Sequence, residues 1–338
     1  MAHAGWGDTI PGGFGVTVFF FLSGYLITTL LRMEYERSGT ISLRDFYLRR
    51  VLRIWPPFYT VLLLAFLLGA AGVVPGTPRL GPALAQVFHF TNYWQILHGT
   101  YGLPEGTGVY WSLACEEHFY LVFPCLFLLL QRVLPGRRTA QANALLAICG
   151  LVLVWRCFLV FSLHASSDRT YLASDTRVDS ILYGCALAIG GNPMLDEPRT
   201  SPAWMRRVLL PIGVILLGVA FLYRAPWYRE TLRYTMQGVA LVPIFIVAIR
   251  EPGFLPMRLL NWKPLRHVGV LSYSLYLSHH VVLYAVPDRL GVWPHALLAL
   301  LISFIVAEII HRYIEKPCAR LRHRLSHSGN ATPAKATA

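Results

Sequence analysis

Charge is scarce in this chain of 338 residues: only 14% are Asp, Glu, Lys or Arg, where soluble domains sit nearer a quarter. With 55% hydrophobic residues and a mean hydropathy of +0.49, that scarcity excludes an ordinary soluble domain. The six cysteines (Cys115, Cys125, Cys149, Cys157, Cys185, Cys318) include no Cys-x-x-Cys, and no histidines cluster at zinc spacing. Neither a disulfide framework nor a structural metal site is implied. No loop is long enough to fold alone, the longest being about 75–110 with its Gly and Pro residues. The halves share no repeated motif, which argues against a transporter built from repeats. Chemistry must therefore reside in the apolar segments.

What is present is a series of nearly uncharged runs of helical length, at about 13–31, 54–74, 112–131, 141–163, 178–191, 208–223, 234–249, 267–286 and 295–311. They predict an all-α fold, a polytopic transmembrane helix bundle of nine spans over residues 1–325, with 326–338 as a small, polar, disordered cytoplasmic tail. The run 178–191 is short and holds Gly184, Gly190 and Gly191, so it is either broken or buried among neighbours. A net charge of +13 would suit nucleic acid, but the basic residues follow the loops and form no single patch. With alternate loops assigned to opposite sides, one side carries 22 Arg and Lys and the other seven, with Arg156 inside a span. By the positive-inside rule the richer side, which includes the C-terminus, is cytoplasmic, and a nine-span chain starts outside.

Two adjacent carboxylates, Glu116 and Glu117, open an apolar run that continues to Leu130 without another charge. A carboxylate at mid-bilayer costs roughly 2.5–3.5 kcal/mol on insertion scales, so one that persists there faces a polar interior. A basic cluster, Arg49-Arg50-Val51-Leu52-Arg53, lies between Tyr47 and Trp55 before a Pro56-Pro57 helix start. On a helix Arg49 and Arg53 share a face and could grip phosphates bidentately, or anchor among lipid headgroups. In Asp175-Thr176-Arg177-Val178-Asp179 the two carboxylates flank an arginine, which suits either a hydroxylated acceptor or a local ion pair. Tyr273, Tyr276 and His280 mark one helical face, with His279 beside it.

Six blocks stand in order along the chain: Gly12-Gly13-Phe14-Gly15-Val16 through Leu22-Ser23-Gly24-Tyr25; Arg49-Arg50-x-x-Arg53-Ile54-x-Pro56; Trp111-Ser112-Leu113-x-x-Glu116-Glu117-x-Phe119-Tyr120; Asp175-Thr176-Arg177-Val178-Asp179-Ser180; Ser272-Tyr273-Ser274-Leu275-Tyr276-Leu277-x-His279; and Ile314-Glu315-Lys316-Pro317. With these blocks the chain resembles the acyltransferase family three membrane proteins, which O-acylate sugars of surface polysaccharides and, in some branches, small secondary metabolites. It departs from that pattern at Ser278-His279-His280-Val281, where the family has Trp-His-Trp-Pro, and at His118, where Gln is usual.

The resemblance implies about ten membrane helices, the first bearing a basic residue and, some ten residues on, a histidine. His3 stands in that histidine's place, and the chain reads as lacking the helix before it. An alcohol attacks a thioester slowly unless a base with a pKa near ambient pH removes its proton, which imidazole does. Glu116, Glu117 or Asp175 could orient such a ring. The resemblance further implies an enzyme (EC 2.3.1.-) of the bacterial inner membrane with no permanently bound cofactor. Its donor would be acyl-CoA, acetyl-CoA foremost, and its acceptor a carbohydrate or lipid-linked glycan hydroxyl. His3, Glu116 and Glu117 would be catalytic, and Arg49, Arg50 and Arg53 would hold donor phosphates. Asp175, Arg177, Asp179, Tyr273, Tyr276 and His279 would be acceptor-binding or structural. A metabolite-acylating enzyme, or a catalytically impaired binding or transport relative, are the alternatives.

Overall fold

The computed structural model describes residues 12–198, 200–287 and 291–328, and among them there is helix but no strand. In chain order the helices are α1 (Gly12–Ser38), α2 (Leu43–Ala70), α3 (Leu80–Val87), α4 (Thr91–His98), α5 (Trp111–Val133), α6 (Arg138–Phe161), α7 (Ser167–Leu172), α8 (Ser174–Gly190), α9 (Pro202–Trp204), α10 (Leu210–Leu222), α11 (Pro226–Glu230), α12 (Leu232–Arg250), α13 (Leu255–Leu260), α14 (Lys263–Ala285), α15 (Val292–Ile310) and α16 (Lys316–Ser328). Single π-helical turns, Met205–Leu209 and His311–Glu315, join α9 to α10 and α15 to α16. Local chemistry sets the starts: Ser42 Oγ accepts from Asp45 N at 3.3 Å ahead of α2, and Ser166 Oγ from Arg169 N at 3.3 Å ahead of α7.

Among the described residues seven stretches are long and apolar enough to cross a membrane: Gly13–Ser38, Leu43–Ala70, Gly108–Val133, Arg138–Phe161, Pro202–Leu222, Leu232–Arg250 and Val292–Arg322. The chain is an all-α, polytopic integral membrane protein. Of the nine expected spans, two fall short: α8 has only 17 residues, and α14 is diluted by Ser, Tyr and His. The glycines of 178–191 do not break α8, which runs continuously to Gly190. Nor do Pro56 and Pro57 start a helix; they lie inside α2, whose earlier start places the whole arginine cluster on helix. Leucines such as Leu63, Leu121, Leu151 and Leu301 point outward, as lipid-facing residues do. At the other end α16 reaches Ser328, three residues into the expected tail; the rest of that tail lies outside the described residues.

The chain divides into two compact units. One comprises the described part of residues 1–41 with 84–100 and 110–266. Its centre is α8, against which α1, α6, α12 and α5 pack. The α1–α8 contact brings backbone to backbone: a Cβ on Gly24 would lie 2.1 Å from Ile181 O, and one on Gly184 2.0 Å from Phe21 O. The other unit comprises 42–83, 101–109 and the described residues from 267 on. In it α2 packs on α16 and on the π turn before it, and Ala65 of α2, Val74 of the loop after it and Val281 of α14 form a small buried cluster. Gly106, at φ +86°, lets its loop rest on α14, since a Cβ there would lie 2.6 Å from Val281 N.

Candidate active site

In the first unit the acidic pair divides by burial. Glu116 is 2% exposed, and Glu117 is half-buried. One helical turn on, Tyr120 donates its hydroxyl to Glu116 Oε1 at 2.8 Å. Ser23 of α1 is hydrogen-bonded to that same phenol oxygen, and because the Tyr120 proton is spent on Glu116, Ser23 is the donor. A chain of hydroxyls from α1 thus runs into a carboxylate buried in an apolar helix. Charge-assisted hydrogen bonds offset part of the carboxylate's desolvation cost. Neither Ser23 nor Tyr120 was singled out from sequence, although both stand inside the quoted blocks.

The Asp175–Arg177–Asp179 stretch does not pair within itself. Asp175 binds Arg169 through two contacts of 2.5 and 3.0 Å and accepts from Trp155 Nε1 at 2.7 Å. Asp179 takes Arg156 Nη2 at 2.7 Å, with both side chains fully buried. Arg156 spends its other donors on Thr231 O, Thr176 O and Thr235 Oγ1, which accounts for an arginine placed inside a span. Arg177 is left over. It is wholly buried, with its guanidinium 3.9 Å from the Tyr234 ring centroid and within 6 Å of the Tyr171, Phe20 and Trp111 rings. Among the described residues its one hydrogen bond goes from Nη2 to Thr17 Oγ1 at 3.2 Å, and Nε and Nη1 meet no partner there. Thr17 in turn donates to Gln237 Oε1 at 3.2 Å. The aromatic walls hold the cation by its faces and leave edge donors for a carbonyl or carboxylate oxygen. Tyr171 and Tyr234, which build this cage, carry no sequence signal.

Beside α5, Asn92 of α4 donates to Ser174 Oγ at 3.1 Å and to Leu172 O at 3.3 Å, and Ser174 Oγ lies 2.7 Å from His118 Nδ1. His89, buried in the turn before α4 at φ +58°, has its pKa lowered to about 4, first by burial and then by the nearby His118.

The second unit holds the other expected residues. Arg49 and Arg50 are half-buried on α2 and Arg53 is exposed, one turn beyond Arg49 on the same face. Arg50 stacks over the Phe46 ring at 5.7 Å. On α14, Tyr273 donates to Ile54 O at 2.9 Å and Tyr276 to Val109 O at 2.6 Å. Both phenols therefore tie α14 to the backbone around it. His279 Nδ1 faces Tyr276 O at 2.9 Å and Leu275 O at 3.0 Å; carbonyls only accept, so the proton sits on Nδ1 and Nε2 is the basic nitrogen. Glu315, in the π turn, accepts from Ser274 at 2.5 Å and bonds His311 Nδ1 at 2.7 Å, which gives the Ile314-Glu315-Lys316-Pro317 block a part in fixing α14. His3 lies outside the described residues.

An all-helical membrane bundle with ionisable side chains buried in its apolar helices defines the class: an integral membrane protein with a polar, reactive interior. The chain belongs to the acyltransferase family whose acyltransferase-domain model matches residues 2–312. It is similar to the peptidoglycan O-acetyltransferase OatA of Listeria monocytogenes serovar 1/2a, 31% identical over 325 residues, which are 90% of this chain and 51% of that protein. It is also similar to the O-acetyltransferase OatA of Staphylococcus aureus strain NCTC 8325, 30% identical over 332 residues, covering 91% of this chain and 53% of that one. The chain spans about half the length of the curated relatives it matches. No solved structure matches it.

Proposed function

We propose that this chain transfers an acetyl group from acetyl-CoA, supplied from the cytoplasm, to a hydroxyl of a cell-envelope glycan, in a bacterial inner membrane with its C-terminus cytoplasmic. The observation that carries the reading is the Ser23–Tyr120–Glu116 chain, a carboxylate kept in an apolar helix and held by directed hydroxyl donors. A buried acid without a partner for its chemistry would be selected against on insertion cost alone. The glycan acceptor rests on the similarity to O-acetyltransferases named for peptidoglycan. In this reading the His3 imidazole takes the proton of the acceptor hydroxyl, with Glu116 or Glu117 stabilising the imidazolium. The α2 arginines Arg49, Arg50 and Arg53 meet the donor phosphates. Arg177 offers a substrate oxygen the two donors, Nε and Nη1, that no described residue engages.

The test is acetyl transfer by the purified chain in lipid nanodiscs, with labelled acetyl-CoA and soluble glycan fragments. Label should appear on the glycan as an alkali-labile ester, and His3→Ala should abolish it while leaving membrane insertion intact. Equal turnover by parent and His3→Ala, or transfer only to small non-carbohydrate alcohols, would refute this assignment.

A further inference from the structure

His118 of α5 and Ser174 make a close contact that the chemistry proposed above leaves unused. Ser174, at the start of α8, is contacted from two sides. Asn92 must present its amide nitrogen, because the Leu172 carbonyl 3.3 Å away only accepts; that nitrogen donates to Ser174 Oγ at 3.1 Å. An oxygen that has received the Asn92 proton has its own proton to place, and His118 Nδ1 is 2.7 Å away. In the tautomer with the imidazole proton on Nε2, the Ser174 hydroxyl donates to His118 Nδ1. The Phe90 and Tyr93 rings, at 5.2 and 6.0 Å between centroids, fix the plane of that imidazole. Neither Ser174 nor His118 is sealed off; both remain partly exposed, unlike Arg156 or Asp179. A hydroxyl aimed at a base which is itself held in place is the arrangement of an activated nucleophile. Glutamine at 118 could accept the same hydrogen bond but could not take the proton.

We propose that Ser174 and His118 form an acyl-relay pair, in which the acyl group rests as an ester on Ser174 before it reaches the acceptor; this rests on the acyl-transfer function proposed above. In the first step Ser174 Oγ attacks the thioester carbonyl carbon and its proton passes to His118 Nδ1. The C–S bond breaks, and the CoA thiolate, a good leaving group that needs no acid, departs and takes a proton from water. In the second step the acceptor hydroxyl attacks the Ser174 ester and its proton passes to solvent. The C–O bond to Ser174 breaks, and Oγ recovers the proton held on His118. The net change is one thioester and one alcohol to one ester and one thiol. Asn92 serves as a positioning residue, since its amide nitrogen holds Ser174 Oγ beside His118.

Parent, Ser174→Ala and His118→Gln chains in nanodiscs are incubated with labelled acetyl-CoA without acceptor, acid-quenched, digested and analysed by mass spectrometry. The parent is expected to carry acetyl on the peptide that contains Ser174, and to show ping-pong kinetics once acceptor is added. Ser174→Ala should carry none. His118→Gln, whose side chain preserves the hydrogen bond and so the fold, should acylate about 100-fold more slowly, the scale of general-base catalysis. Turnover by the parent with no acetyl on Ser174, together with Ser174→Ala activity within about twofold of the parent, would overturn the relay and leave direct transfer standing. A parent that consumes no acetyl-CoA at all would overturn the acyl-transfer reading itself, and the relay with it. Well-dispersed, cooperatively melting variants exclude misfolding as the cause of a loss.

Discussion

Arg156 and Arg177 are both fully buried, yet they are built for different ends. Arg156 has a carboxylate, two carbonyls and a hydroxyl. Arg177 has one hydroxyl and a ring of aromatic faces. Removing Arg156 strands Asp179 as a buried, uncompensated charge, so Arg156→Ala should destabilise the bundle by about 3–5 kcal/mol, seen as a large fall in the detergent melting midpoint. Arg177→Lys keeps the charge but gives up the planar fork. It should melt near the parent and lose acetyl transfer by about tenfold or more, since a charge-assisted hydrogen bond is worth about 1.5–3 kcal/mol; parent-like turnover would make Arg177 structural. On the same logic, Arg49→Ala and Arg53→Ala should each raise the KM for acetyl-CoA about tenfold or more while Arg137→Ala does not. Equal values in all three would return the α2 arginines to a role as headgroup anchors.

At the scale of elements, the α1–α8 pairing is the least forgiving contact. With Phe21 O only 2.0 Å from where a Cβ on Gly184 would stand, Gly184→Val must push two backbones apart. It should abolish recovery of a monodisperse bundle, whereas Gly150→Val, with nothing within 4 Å of its Cβ position, should not. The turn before α4 gives a pH signature. His89 has a folded pKa of about 4, below its unfolded value of 6.5, so the unfolded chain binds the extra proton between them. Stability should therefore be full above pH 6.5 and fall as pH drops toward 4. Asp196, in the loop after α8, has its carboxyl held below the usual range, chiefly by its hydrogen bond to Arg32. Its contribution is present above the unfolded carboxylate pKa and is lost only as pH falls through the lower folded value. Melting midpoints from pH 7 down should fall in that order, and His89→Gln should flatten the first part alone.

For the whole molecule, the distribution of arginines predicts orientation. A cysteine introduced in the loop 75–110 should react with a membrane-impermeant thiol reagent added outside intact cells, and one placed in α16 should react only after permeabilisation. The reverse pattern would invert the proposed topology and take the cytoplasmic donor with it. Much of this was legible in the chain. Apolar runs gave the all-α membrane class because bilayer thickness imposes a length that survives any packing. Glu116 stood out because a carboxylate in such a run is costly wherever its helix sits. The spans of α8 and α14 were harder to read, since a helix sheltered by other helices needs neither full length nor full apolarity.

Partnership was what composition left open. From the sequence, Asp175 and Asp179 flank Arg177 and suit either a hydroxylated acceptor or a local ion pair; in the fold they belong to Arg169 and Arg156. Successive turns of α8 face different helices, and a salt bridge follows distance in space, not spacing along the chain. Ser174 met Asn92 and His118 for the same reason, at sequence separations of 82 and 56. The sequence by itself determined that the chain lives in a membrane, which family it joins and which helices carry ionisable groups, because hydropathy and motif order are properties of neighbouring residues. Only the tertiary structure decided which of those groups are satisfied and which remain free to act, because each hydrogen bond and ion pair depends on side chains that distant helices bring within about 3 Å of one another.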